Sequence, residues 1–115
     1  MDLFRKIKLY VDYNNTYSIN KALTTLRKDF DIAILRKNYG RAAEITHAVQ
    51  RLYEDFGKTY RESEDYGETM SYLQRRVANN MRNFISYLLG KLKQNCRSNR
   101  GYEKQITDII NEHKE

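Results

Sequence analysis

The longest periodic stretch of this sequence covers residues 70–96, MSYLQRRVANNMRNFISYLLGKLKQNC. Apolar residues recur every three or four positions along it: Met70, Leu73, Val77, Met81, Phe84, Leu88, Leu92 and Cys96. This spacing places them on one face of an α-helix. Only Gly90 interrupts the pattern, so we predict a single long helix over residues 66–97, and this helix decides the fold class.

The rest of the chain also favours helices, because it contains no proline and its apolar residues keep helical spacing. We predict further helices near residues 2–13, 18–37, 41–57 and 102–113. Ser18 is the expected N-cap of the second helix, and residues 38–40 are its expected end. Ile7, Leu9 and Val11 also alternate as a strand would, but a lone strand has no partner.

The third helix is predicted to end either at Gly57 or about one turn later, within the polar stretch over residues 58–65, and this stretch is the best loop candidate in the chain. Asp65 and Glu68 then have the spacing of a capping box that opens the long helix. At 1.5 Å per residue the long helix would span about 48 Å and the third helix about 24 Å, so we expect the long helix to overhang its neighbours.

We therefore predict an all-α fold, a single-domain antiparallel bundle of four to five helices with one long basic helix. A chain of 115 residues supports one compact domain over residues 1–115. Cys96 is the only cysteine, which excludes a disulfide scaffold and favours a reducing compartment. No stretch approaches the ~20 apolar residues of a membrane span, and Arg5, Lys6 and Lys8 interrupt a signal peptide. A cytoplasmic location is the expectation.

The residue types that carry metal and nucleophilic chemistry are sparse. His47, His113 and Cys96 are each alone in their predicted helices, so we expect no metal site and no cofactor. Cys96 lies on the apolar face and is expected to act as a small hydrophobe. The two histidines are expected to be partly exposed. An acidic cluster matches no calcium loop and is expected to be solvated: Glu62, Glu64, Asp65 and Glu68.

One pair of residues matches a catalytic spacing. Arg41 and His47 are six residues apart, and this resembles the Arg–His motif of the HEPN ribonucleases, which are also small helical bundles. The resemblance implies RNA cleavage by this pair. The chain lacks the polar residue that normally follows the arginine, and residues six apart on a helix differ by about 120° in direction. Ordinary surface residues are the simpler interpretation.

Positive charge is concentrated in the long helix, since residues 68–101 carry seven cations and one acid. At about 100° per residue, seven polar or cationic residues fall within about 60° of one another, opposite the apolar face. We call these residues the basic stripe: Arg75, Asn79, Arg82, Ser86, Lys93, Arg97 and Arg100. An unbroken cationic face of this kind is typical of binding to an anionic macromolecule.

The leading hypothesis is a non-enzymatic protein that binds the phosphate backbone of RNA or DNA through the basic stripe. Arg forks to two phosphate oxygens, while Asn and Ser donate single hydrogen bonds. Tyr72 and Tyr87 flank the stripe and could stack on bases. The alternative is a protein-interaction module, such as an adaptor, an assembly subunit or an inhibitor, that docks on an acidic partner. The sequence leaves the oligomeric state open.

Overall fold

The computed structural model describes the backbone of residues 2–65 and 72–113 and the side chains of residues 2–59 and 72–113. Five α-helices and one short 3₁₀ turn make up this part of the chain, and it contains no strand. The helices are α1 (Leu3–Lys8), α2 (Thr16–Leu35), α3 (Tyr39–Asp65), α4 (Tyr72–Ser98) and α5 (Glu103–Glu112), with the 3₁₀ turn at Arg100–Tyr102. The predicted all-α helical bundle is confirmed.

Helix α3 is the centre of the bundle, since it contacts α1, α2, α4 and α5. The core side chains of α3 and of the helices around it are almost completely shielded from solvent: Phe30 on α2, Phe56 on α3, Leu88 and Leu92 on α4, and Ile106 on α5. Burying a side chain of this size stabilises the fold by about 1.5–3 kcal/mol. The bundle is therefore assembled around α3, which presents apolar residues on several sides.

The predicted difference in length between the third and fourth helices is wrong. Helices α3 and α4 both have 27 described residues and are about 40 Å long. The prediction failed because the polar stretch over residues 58–65 continues helix α3, so it is not a loop. It contains neither proline nor glycine, and polar residues alone do not end a helix. Residues 66–71 lie outside the described part of the chain, and so does the capping box predicted at Asp65 and Glu68.

The start of α2 differs from the prediction because a different residue caps it. Asn15 is the N-cap, and its side chain accepts hydrogen bonds from the backbone N–H groups of Tyr17 and Ser18. Asn and Ser are comparable N-caps, so the choice depends on the preceding turn. That turn contains Asp12, whose side chain accepts from the backbone N–H of Asn14, and it follows α1, which ends at Lys8 instead of the predicted residue 13.

The junction between α2 and α3 is also tighter than predicted. Lys37 takes the left-handed conformation, with a φ of 56°, where the sequence suggested Asn38 or Gly40. The Asn38 side chain instead accepts from the backbone N–H of Arg41, as an N-cap does. Tyr39 is 1% exposed, and its hydroxyl donates to Asn95 on α4. Burial of this tyrosine draws residues 39–40 into helix α3.

Helix α4 presents its apolar face to the bundle from Val77 onward. Five of its side chains are buried: Val77, Met81, Phe84, Leu88 and Leu92. Leu73 was predicted on the same face, but it is 56% exposed and lies outside the core. The buried face fixes the rotation of α4 about its own axis, and so it decides which side of this helix meets solvent.

Candidate functional site

The structure places six of the seven residues of the basic stripe on helix α4 and leaves all seven exposed. Arg100 is the exception in position, because α4 ends at Ser98 and Arg100 opens the following 3₁₀ turn. The helical projection used for the prediction therefore does not apply to Arg100. The other six residues, Arg75 to Arg97, span about 33 Å along α4.

The exposure of the stripe follows from the sequence of α4. Over its 27 residues the helix carries six cations and no acid. The apolar residues occupy the opposite face and are buried against the bundle, so the cations of the stripe must point to solvent. These cationic side chains are exposed, and α4 carries no acid that could offset their charge.

Acidic residues elsewhere in the described chain do not neutralise the stripe. The ion pairs join Lys8 to Asp55 at 2.7 Å, Arg51 to Asp2 at 2.9 Å, and Arg41 to Glu44 at 3.1 Å and to Asp29 at 3.7 Å. Within the described ranges, no stripe cation lies within 4 Å of a carboxylate oxygen. These carboxylates thus pair with cations on α1 and α3, and the α4 face stays positive.

The Lys8–Asp55 contact illustrates how tightly such a pair is held. Asp55 accepts from the Lys8 ammonium at 2.7 Å and from the Tyr13 hydroxyl at 2.6 Å. Partial burial opposes ionisation of Asp55, but the hydrogen bonds from Lys8 and Tyr13 outweigh it and lower the pKa of the carboxyl group. This carboxylate stays charged as a structural group.

Two surface grooves lie on either side of the basic stripe. The α2–α4 groove encloses about 440 Å³ and is lined mostly by polar side chains, among them Asn20, Arg27, Asn80 and Asn83. The second groove, which we call the α3–α4 groove, encloses about 530 Å³. It is lined by Gln50 and Tyr53 on α3, Arg82, Ile85, Ser86 and Leu89 on α4, and His113. Two stripe residues, Arg82 and Ser86, therefore border the α3–α4 groove directly.

Tyr72 and Tyr87 were predicted to flank the stripe, and their environments differ. Tyr72 is 72% exposed. Tyr87 is half-buried, donates from its hydroxyl to Asp31 at 2.7 Å and packs its ring under the Arg27 guanidinium at 4.2 Å. The hydrogen bond to Asp31 and partial burial raise the pKa of Tyr87. Tyr87 therefore joins α4 to α2, and its face toward Arg27 is already occupied.

Arg41 and His47 line one cavity of about 420 Å³, although they are about 120° apart on α3. Helix α1 supplies the opposite wall, with Phe4 and Lys6. Arg41 is already paired with Glu44 and Asp29. The pair resembling the ribonuclease motif is thus brought to one cavity, while its arginine is held by two carboxylates.

The predicted partial exposure of the two histidines is wrong for His113. This residue follows the end of α5 and is 9% exposed, and its ring centroid lies 5.6 Å from that of His47 on α3. Its Nε2 atom is buried and has no hydrogen-bond partner among the described residues. Burial lowers the pKa of His113, so it is neutral at neutral pH.

Cys96 is a half-buried thiol near the end of α4, in contact with the Thr107 hydroxyl at 3.5 Å. Across the described side chains, His, Cys, Asp and Glu form no group of three or more that could hold a metal ion. No helix in the described ranges is both long enough and apolar enough to cross a membrane. The candidate site is the α4 face with its grooves, because the exposed cations of the stripe and the groove residues meet there.

No family model, curated protein or solved structure matches this chain significantly. The function therefore rests on the residues of the site and their geometry. Sequence patterns predicted the stripe but not Gln50, Tyr53 and His113, which helices α3 and α5 bring to its edge. The local sequence around these three residues carries no signal that could have placed them there.

Proposed function

We propose that this protein binds the phosphate backbone of a nucleic acid through the basic stripe on α4. The observation that supports the proposal is the contrast in ion pairing within the described chain. Lys8, Arg41 and Arg51 lie against carboxylates, whereas the cations of the stripe do not. A cation that no internal acid neutralises is available to a phosphate.

The side chains of the stripe suit a phosphate backbone. Arg75, Arg82 and Arg97 can each fork to two phosphate oxygens, and Lys93 adds a point charge. Asn79 and Ser86 add single hydrogen bonds between the cations. Contacts of this kind position a nucleic acid without reading its base sequence, so we expect binding that depends strongly on salt and weakly on sequence.

The test is a fluorescence anisotropy titration of a labelled RNA single strand and a labelled DNA duplex over a range of salt concentrations. Five cationic contacts, four on α4 and one from Arg100, predict a log–log salt slope of about −3.5 to −4.5. The stripe variant R75Q/R82Q/K93Q/R97Q should reduce the magnitude of the slope by about 2.8–3.6, because four contacts are lost.

A matched control separates the stripe from net charge. The variant K21Q/K28Q/R36Q/K104Q removes four exposed cations from α2, the α2–α3 junction and α5, and both variants lower the formal net charge from +6 to +2. The control should keep most of the slope. The absence of binding at about 50 mM salt, or equal losses in the two variants, would overturn the proposal.

An acidic protein surface is the other partner class that the same cations fit. Capture of a partner that survives nuclease treatment, together with no affinity for either labelled nucleic acid, would replace the proposed function with a protein-docking role. Because the stripe variant would lose that partner as well, the nuclease step is what distinguishes the two.

A further inference from the structure

We propose that the α3–α4 groove accepts an unpaired nucleobase of the strand whose phosphates lie on the basic stripe, so that the protein prefers single-stranded nucleic acid to duplex. This inference rests on the proposed function. It starts from the position of Arg82 and Ser86, which belong to the stripe and also line the groove. A phosphate held at these two residues places the attached nucleoside at the mouth of the groove.

The chemistry of the walls fits a flat heterocycle. Ile85 and Leu89 form a half-buried apolar side on α4, and the ring of Tyr53 on α3 adds an aromatic side. Gln50 supplies an amide, which can both donate and accept hydrogen bonds at a base edge. The volume of the α3–α4 groove, about 530 Å³, lies within the range of small-molecule sites.

His113 supplies the second, independent observation. It lines the same groove, is nine-tenths buried, and its Nε2 atom has no partner among the described residues. Buried polar atoms of native proteins nearly always have a hydrogen-bond partner, so the unpartnered imidazole of His113 has a hydrogen-bonding position left for a molecule that enters the groove. The edge of a base carries both donors and acceptors, so it can satisfy a neutral imidazole in either tautomer.

The α2–α4 groove fits the same role less well. It is lined by no residue of the stripe, and its aromatic residue Tyr87 is already engaged by Asp31 and Arg27. A duplex does not fit the α3–α4 groove either, because its bases are paired and stacked and cannot turn outward without an energetic cost. The geometry therefore selects an unpaired base in the groove beside Arg82 and Ser86.

The experiment compares a single strand and a duplex of equal length for the full chain and two matched variants. Ser86→Leu fills the mouth of the groove, whereas Gln94→Leu makes a similar change eight residues later on α4, outside the stripe and outside the lining of both grooves. Both positions are exposed, and leucine is at least as good a helix former as serine or glutamine. We expect about a tenfold preference for the single strand, lost in Ser86→Leu and kept in Gln94→Leu.

A second readout follows the imidazole signals of His113 by nuclear magnetic resonance. They should shift on saturation with the single strand and not on saturation with the duplex. Equal affinity for both nucleic acids, identical behaviour of the two leucine variants, or an unmoved His113 signal would overturn the groove inference while leaving the proposed function in place. Absence of binding to both nucleic acids would overturn the proposed function itself.

Discussion

Helices α3 and α4 have the same described length and lie against each other, yet they use charge in opposite ways. Helix α3 carries four cations and six acids, and its Arg41, Arg51 and Asp55 are joined to carboxylates or amines. Helix α4 carries six cations and no acid. In the described chain, its stripe has no internal ion pair.

The difference follows from where each helix lies. Helix α3 contacts four other helices, so its polar residues meet charged neighbours on α1 and α2. The stripe of α4 faces solvent, and even beside the α3–α4 groove, which Arg82 and Ser86 border, none of its cations lies within 4 Å of a carboxylate oxygen of the described chain. The comparison teaches that charge in the centre of the bundle stabilises structure, whereas charge on the outer face of α4 is available to a ligand.

The largest expected effect tests the rotation of α4, on which this comparison depends. Leu88 is completely buried, whereas Leu89 is half-buried beside it. Leu88→Ala should lower the free energy of unfolding by about 2–5 kcal/mol, because it leaves a cavity in the core. Leu89→Ala should cost clearly less. Equal losses in urea denaturation would mean that α4 is rotated and that its stripe does not face solvent.

The next effect separates structural charge from available charge. Asp55→Asn weakens the contacts from Lys8 and Tyr13 and should cost about 1 kcal/mol, since the pair is partly exposed and screened. Asp108→Asn is the control, an exposed acid with no ion pair among the described residues. Neither the control nor the stripe variant R75Q/R82Q/K93Q/R97Q should lose more than about 0.5 kcal/mol, measured by urea denaturation.

A stripe variant as unstable as Asp55→Asn would remove the contrast between the two helices. It would mean that the stripe cations stabilise the fold as those around α3 do. A small gain in stability is compatible with the comparison, because neutralising like charges on one face relieves repulsion.

The smallest expected effect is a pH dependence centred on His113. Burial lowers its pKa, with a further lowering by His47, while Glu112 and Glu54 oppose the shift and Arg82 lies across the groove. As the pH falls below about 6.5, the unfolded state binds the proton before the folded state does. The stability that the neutral imidazole contributes above that pH is therefore lost as the pH falls toward the pKa of His113 in the folded state.

Chemical denaturation at about pH 7.5 and about pH 5.5 should show this loss in the wild-type protein and a smaller loss in His113→Gln. Asp55 acts in the same direction but in a more acidic window, below about pH 4, because its pKa is lowered from that of an ordinary carboxyl. An unchanged pH dependence in His113→Gln would show that the imidazole does not stay neutral in the folded bundle.

The sequence predicted much of α4, because its apolar and cationic residues separate cleanly at the helical period. Val77, Met81, Phe84, Leu88 and Leu92 were all predicted on the buried face. Local ambiguity explains the errors. Asn15 and Ser18 are both good N-caps, and the polar stretch over residues 58–65 contains no residue that forces a helix to end.

Non-local packing explains what could not be predicted. His113 is far from His47, Gln50 and Arg82 in sequence, and only the contacts of α5 with α3 and α4 bring them together. The pairing of Lys8 with Asp55, 47 residues away, has the same origin. Spacing within one segment contains no information about such contacts.

The sequence by itself determined that this chain forms helices and that one of them carries the positive charge on a single face, because periodicity is a local property of the backbone. The tertiary structure decided which cations lie against carboxylates and which do not. It also decided that Arg82 and Ser86 border a groove that holds a buried histidine. These outcomes depend on distances between residues that are remote in sequence, and only the packed bundle sets those distances.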